Sequence, residues 1–454
     1  MALREPTAPT GRTAREIAAS VEQGIVAGRM EPGHRLPTVR GLAERLVVSP
    51  ATVASAYRDL KRQGLIEGQG RQGTRVAPRP PLIGGAGLVV QADRPVPAGV
   101  RDLSSGHPDS RLLPDLGPLA RQAGAPAGNY DAAVNDPGLL EEAGRQFAAD
   151  GIPAGHLAVV SGALDGVERV LLANLRPGDR VGVEDPGFPP LFDLLRALGL
   201  KIVPVAVDDR GPRPDGSDGL AAAIAHGIDA LVITPRGQNP FGSALDVDRA
   251  RRLRRLLRSP AELLIVEDDH AIPVAGAAAN TLWDRHRSRW AVVRSVSKAL
   301  GPDLRLAVLA GDELTVARVA GRQALGAGWV STILQRVVAE LWADPTAQRL
   351  VAGATERYAA RRLHFVERLA GHGIEAHSRS GFNVWIPVMD EAGVAAALGD
   401  AGWAVATGER FRIRSGPAIR VTTAALGADD AGALANDLAM ILDRSTRPRR
   451  RIRT

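Results

Sequence analysis

Apolar positions along the chain follow two rhythms. Over the first 62 residues they recur at helical spacing. Ile17, Val21 and Ile25 lie four residues apart, which predicts a helix over about residues 13–28. The breakers Pro32 and Gly33 follow. Thr38 then caps a short helix, TVRGLAERL, whose apolar face is Val39, Leu42 and Leu46. Ser49 as N-cap and Pro50 at the first helical position open a third helix. Val53, Ala56, Tyr57 and Leu60 share one face of it, and Gly64 suits its C-terminal end. Leu65-Ile66 and Thr74-Arg75-Val76 read as two short strands around the Gly-rich turn GQGRQG. From about residue 157 the rhythm changes. LAVVSG, RVGVED, KIVPVAV, DALVITP, LLIVEDD, WAVVRSVS and RLAVLAG are mostly continuous apolar runs, separated by helical stretches. Such runs predict strands covered on both faces, in an α/β sheet with helices on either side. Sheets of this kind take ligands at the carboxyl ends of their strands.

Between the two patterns lies VAPRPPLIGGAGLVVQADRPVPAGV, rich in Pro and Gly and without a period, which reads as a linker. The predicted organisation is a small domain of three helices and a hairpin over 1–77, a linker over 78–100, a body over 101–443 and an Arg-rich tail over 444–454. Charge supports the division. Residues 1–80 carry a net +6, the tail another +6, and the stretch between them −5. Basic ends around an acidic body suit a polyanion partner, although a solvated basic surface explains the charge alone equally well. The 454 residues contain no cysteine, which excludes disulfides, thiol nucleophiles and thiolate metal sites. An N-terminus without an apolar core and the lack of any run of about 18 apolar residues predict a cytosolic protein.

Two helices with a tight connection and a β wing make a winged helix-turn-helix, whose second helix enters the major groove of DNA. The stretch from Gly28 to Ala77, with LPTVRGLA, SPATVASAY, GLI and the Gly-rich wing in order, resembles the GntR-type DNA-binding domain. The resemblance implies contacts to double-stranded DNA from Arg40, Ser49, Thr52 and the region of Gly73. Pro50 stands where many relatives carry Arg, and residues 51 and 54 are Ala. Base reading then leans on Arg40, on Arg71 and Arg75 of the wing, or on DNA shape.

Lysine occurs only at 61, 201 and 298. Lys298 follows an apolar strand in SVSK, and Arg305 comes seven residues later. A lysine there suits an imine to an aldehyde, with Ser and Arg hydrogen-bonding a phosphate; a surface lysine fits the segment alone equally well. Residues 102–443 as a whole resemble the fold-type I pyridoxal phosphate family, the aspartate-aminotransferase-like fold, with a smaller C-terminal α+β subdomain. The resemblance makes Lys298 the Schiff-base lysine of pyridoxal 5′-phosphate. It assigns the phosphate to Ser295, Ser297, Arg305 and the backbone N–H groups of Gly162 and Ala163 at a helix start. It places Phe188 on the ring, Asn239 at the ring hydroxyl and Asp268 at the pyridinium nitrogen. Tyr130 would reach the phosphate across a dimer interface. Arg420 would clamp an amino-acid carboxylate, with Arg412 and Arg414 as near rivals. His270 occupies a position where the family normally has a ring-contacting tyrosine, and Phe241 replaces the usual Thr of an N-P-T-G motif.

A GntR-type reader joined to such a body resembles the MocR-type regulators. The combination implies a dimeric, head-to-tail transcriptional regulator that senses an amino acid or amine through pyridoxal phosphate. A working aminotransferase with secondary DNA binding is the alternative, and His270 is the residue that separates the two. A third reading, a DNA-binding protein with a relic body, sits poorly with so many retained ligands. The Arg-rich tail either adds phosphate contacts or is a solvated end.

Overall fold

The computed structural model describes residues 8–68, 73–77, 96–97, 99–117, 134–259 and 262–446. Arg71, Tyr130, most of the 78–100 linker and the end of the Arg-rich tail lie outside them. The chain forms two compact units. One comprises residues 1–95 with 175–181 and 189–202; the other comprises 96–174, 182–188 and 203–454.

The N-terminal 77 residues fold around three helices, α1 (Ala14–Val26), α2 (Val39–Leu46) and α3 (Pro50–Arg62). Each begins on a side-chain cap. Thr13 and Glu16 form a reciprocal capping box on α1, and Thr38 accepts from the Gly41 N–H on α2. Ser49 accepts from the Thr52 N–H at 3.1 Å on α3, with Pro50 in the first turn. The predicted apolar faces meet. Ile17, Val21, Ile25, Leu42, Val53, Leu60 and Leu65 are each 1% exposed or less and share one core. Burying a side chain of that size contributes roughly 1.5–3 kcal/mol. The Tyr57 hydroxyl donates to the Pro37 carbonyl at 2.9 Å and ties α3 to the start of α2. The wing has three strands rather than two. β1 (Arg35–Leu36) joins β2 (Ile66–Gly68) and β3 (Thr74–Val76) in the order β1-β3-β2, all antiparallel.

The body begins with β4 (Arg101–Asp102) and contains an eight-stranded sheet. Its strands are β5 (Leu157–Val160), β6 (Arg180–Asp185), β7 (Lys201–Asp208), β8 (Gly211–Pro212), β9 (Ala230–Ile233), β10 (Leu264–Asp268), β11 (Trp290–Ser295) and β12 (Ala307–Gly311). Their order is β5-β12-β11-β10-β9-β6-β7-β8. All seven predicted apolar runs are strands of this sheet, and most of their residues are buried. The sheet is mixed. β9, β10 and β11 are parallel, whereas β12 runs antiparallel to both β11 and β5. A C-terminal subdomain follows the helix Pro345–Gly371. Its strands are β13 (Asn383–Pro387), β14 (Trp403–Ala404), β15 (Ala406–Thr407) and β16 (Ala418–Thr422). β13, β16 and β15 form one sheet, and β14 pairs with β4 in parallel. The last helix, Ala428–Thr446, carries the first three residues of the sequence-defined tail. Among the described residues no helix is long and apolar enough to cross a membrane.

Candidate functional site

β5, β9, β10 and β11 point the same way, so their carboxyl ends lie along one edge of the sheet. That edge carries the candidate residues. β10 ends at Asp268, and β11 ends at Ser295, three residues before Lys298. The turn after β9 carries Asn239, the turn after β6 carries Phe188, and the turn after β5 carries Gly162 and Ala163.

The structure brings Lys298, Asn239 and Arg420 to one place. The Lys298 ammonium donates to the Gly106 carbonyl at 2.8 Å and lies 5.6 Å from the Phe382 ring centre. Burial and the neighbouring Arg420 charge lower the Lys298 pKa to about 8, against the pull of Asp268. Arg420 is 2% exposed on β16. It donates to Asn239 Oδ1 at 3.0 Å and to the Ser104 carbonyl, and its guanidinium lies 4.7 Å from the Phe411 ring centre. Burial and the Arg410 charge lower its pKa to about 9. Gly106 sits against this guanidinium at φ +69; a Cβ there would lie 3.2 Å from Nη1. The rival arginines point elsewhere. Arg412 pairs with Glu391 at 2.8 Å, and Arg414 is exposed.

Asp268 is 9% exposed, and its Oδ1 has no hydrogen-bond partner. His270 Nδ1 lies 3.4 Å from that oxygen and is itself unpartnered. Leaving a buried carboxylate oxygen unpaired is costly, so it suits a ligand N–H. Ser295 Oγ accepts from the Ser297 N–H at 3.2 Å, and the two hydroxyls are 3.1 Å apart. Arg305 is exposed and takes the left-handed conformation, at φ 43. Its guanidinium crosses the start of the helix Ala163–Asn174, where a Cβ on Gly162 would lie 2.9 Å from Nη2. One expectation changes here. The Gly162 N–H donates to the Val160 carbonyl at 2.9 Å, because φ +100 folds the turn back on itself. It therefore does not face outward as a free donor. Phe188 is half-buried, and the Gly187 N–H before it is held by the Phe411 carbonyl at 2.8 Å.

Sequence reasoning missed the supports of this site. Ser104 and Gly106 lie on it, and the turn-rich SSGHP was the available signal. Asp185 accepts four hydrogen bonds from residues 413–415, a role that only the D-P-G turn hinted at. Glu184 is fully enclosed. One of its oxygens accepts from the Thr234 N–H at 3.0 Å, and the other is unpartnered.

On the reader, Arg40 and Ser49 are exposed and Thr52 is partly exposed. The Ser49 and Thr52 hydroxyls bond each other at 2.8 Å. Arg75 donates to the Gly33 carbonyl at 3.1 Å, and Gly73 adopts φ +90 at the base of the wing.

The donor set fits pyridoxal phosphate: a half-buried amine of lowered pKa, an orphaned carboxylate oxygen, an amide, and a Gly-lined helix start beside an arginine. Comparison with known proteins agrees. Residues 139–438 match the aminotransferase class I and II family, and residues 13–76 match the bacterial regulatory proteins of the gntR family. The vitamin B6 salvage pathway transcriptional repressor PtsJ of Salmonella typhimurium is 37% identical over 441 residues, covering 96% of this chain and 99% of that protein. The regulator TauR of Rhodobacter capsulatus is 28% identical, covering 82% of each chain. Among solved structures, the kynurenine aminotransferase of Pyrococcus horikoshii superposes with a TM-score of 0.69 at 18% identity, covering 79% of this chain and 95% of that one. The chain belongs to the aminotransferase class I and II family, in its MocR-type branch of regulators that carry a GntR-type reader ahead of the aminotransferase-like body.

Proposed function

We propose that the protein is a transcriptional regulator that binds operator DNA through residues 8–77 and holds pyridoxal phosphate at Lys298. The observation that carries the reading is the constellation of half-buried Lys298 and Asn239 with buried Asp268 and Arg420, in a chain that also bears a capped winged helix-turn-helix. When bound, the cofactor supplies an aldehyde and an electron-withdrawing ring. Lys298 offers an amine that is partly neutral near pH 8. Asp268 Oδ1 would accept the ring N–H, and Asn239 would bond the ring hydroxyl. Ser295, Ser297, Arg305 and the Ala163 N–H would hold the phosphate.

Arg420 fits the carboxylate of an amino-acid-like effector. The unpartnered Nε N–H of the guanidinium is open to that carboxylate, while Nη1 and Nη2 are held by Asn239 and the Ser104 carbonyl. Two copies of the chain would present two readers to paired half-sites. With small residues at 51 and 54 of the recognition helix, base reading would lean on Arg40, on Arg71 and Arg75 of the wing, or on DNA shape. The regulator relatives support this reading over that of a working aminotransferase.

The test is the visible absorption of the full chain with added pyridoxal phosphate, followed as amino acids and amines are titrated in. A lysine-bound band that is absent in Lys298→Ala is expected. A band that persists in Lys298→Ala overturns the assignment. Steady conversion of the cofactor to its amine form with turnover would make the protein an enzyme first.

A further inference from the structure

The turn that carries Asn239 has a second face. Asn239 points at Arg420, whereas Phe241, two residues on, points into a separate cavity of about 290 Å³. This cavity opens between β7 and the C-terminal subdomain. Its lining includes Phe241, His377, Trp385, Arg213, Arg414 and Pro417. We propose that it is a second small-molecule site, for a planar aromatic ring carrying one carboxylate or phosphate.

Three observations support this assignment. The first is shape. Ligand pockets run from about 300 to 1,000 Å³, and this one has room for a single ring. The second is its walls. The Phe241 and His377 rings stack with centres 4.4 Å apart and planes 20° apart, and Trp385 contributes a second aromatic surface. Flat aromatic walls favour a flat aromatic guest. The third is charge. The lining contains two carboxylates, and both are engaged. Asp185 is consumed by four donors from residues 413–415. Asp218 faces Arg213 at 3.5 Å. Burial opposes protonation of His377, but Asp209 and Glu375 prevail and raise its pKa. They also answer its charge, at 3.3 and 3.4 Å, so His377 serves as a wall. Arg414 is exposed and pairs with no carboxylate among the described residues. It is the cation left for an anion.

The cavity shares its frame with the first site. Asp185 hangs the 413–415 loop beside the turn that ends in Phe188. The Gly187 N–H grips the Phe411 carbonyl, and the Phe411 ring underlies Arg420. A guest that braces Arg414 and Phe241 therefore bears on both Asn239 and Arg420. Any such coupling acts equally in both directions.

The experiment is calorimetric titration of the full chain with phenyl phosphate, after borohydride reduction has fixed pyridoxal phosphate on Lys298 and closed the first site. Benzoate repeats the test with a carboxylate, and benzylamine is the control. One saturable site per chain is expected for both anions, at least tenfold weaker in Arg414→Gln and absent for benzylamine. No saturable binding, binding indifferent to Arg414→Gln, or preference for benzylamine overturns the proposal. If Lys298 takes up no aldehyde, the cofactor reading falls by itself. The second site is then judged on the unreduced chain, by whether Arg414→Gln removes one class of phenyl phosphate site.

Discussion

Lys298 titrates in an enclosed place beside another cation, and its reactivity follows from that. An ammonium has no lone pair, so the neutral fraction sets how fast the residue captures an aldehyde. With the pKa lowered to about 8, the capture rate for pyridoxal phosphate rises about tenfold per pH unit up to about 8 and then levels off. Stopped-flow absorbance across pH measures this; a bend at the ordinary lysine value would contradict it. Arg420→Met removes one cause of the depression and moves the bend upward. Glu184 titrates in the opposite sense. Burial, with Asp268 nearby, raises its pKa from 4.5 to about 8. A raised carboxyl contributes stability below the unfolded value, and that stability is lost as pH rises through the folded one. Glu184→Gln keeps an acceptor for the Thr234 N–H and has nothing to ionise. In urea unfolding, the variant should therefore gain on the parent between about pH 5 and 9. A constant gap would mean that Glu184 stays ionised.

At the scale of elements, the start of the helix Ala163–Asn174 is a tightly constrained junction. Gly162 takes φ +100, and a Cβ would meet the Arg305 guanidinium. Gly162→Ala strains the turn by roughly 1–3 kcal/mol and displaces Arg305. Pyridoxal phosphate should bind at least tenfold more weakly, while pyridoxal, which lacks the phosphate, should be little affected. Equal loss for both would place Arg305 away from the phosphate. The strands of the body were legible because doubly covered strands are continuous runs of β-branched and aliphatic residues. Their directions were not, since periodicity is blind to polarity. The antiparallel β12 was nevertheless deducible from the short link between Ser295 and Ala307, too short for a helical crossover. Two-residue strands such as β1 and β14 leave no periodic trace. The family resemblance put Arg420 ahead of Arg412 and Arg414, but all three sit in one short basic stretch, so local sequence keeps them as rivals. Burial on β16 separates them. Lys298 and Asp268 took their roles from the family resemblance, since the segment around Lys298 alone fits a surface lysine equally well and nothing in the apolar pattern singles out Asp268.

For the whole molecule, the reader has its own capped helices and its own core, and the cofactor residues all lie in the other unit. Damage to one should leave the other's chemistry in place. Leu60→Ala removes a side chain with 0% exposure and costs about 2–5 kcal/mol locally. It should abolish operator binding in a gel-shift assay and leave the lysine-bound absorption band unchanged. Lys298→Ala should abolish the band and leave basal binding to non-specific DNA intact. Loss of both properties in either variant would mean that the units fold as one.

β4 gives the regulator reading a mechanical side. Arg101 and Asp102 are the first residues after the tether to join the body's hydrogen-bonded framework, and they are zipped to Trp403 and Ala404. Ser104 and Gly106 follow at once, with their carbonyls on Arg420 and Lys298. At most about 18 Å of backbone separates Arg101 from Gly106. The peptide that anchors the tether is thus the same peptide that lies across the sensing amine. Whatever lifts Gly106 off Lys298 therefore acts within five residues of the β4–β14 zip that fixes where the body begins.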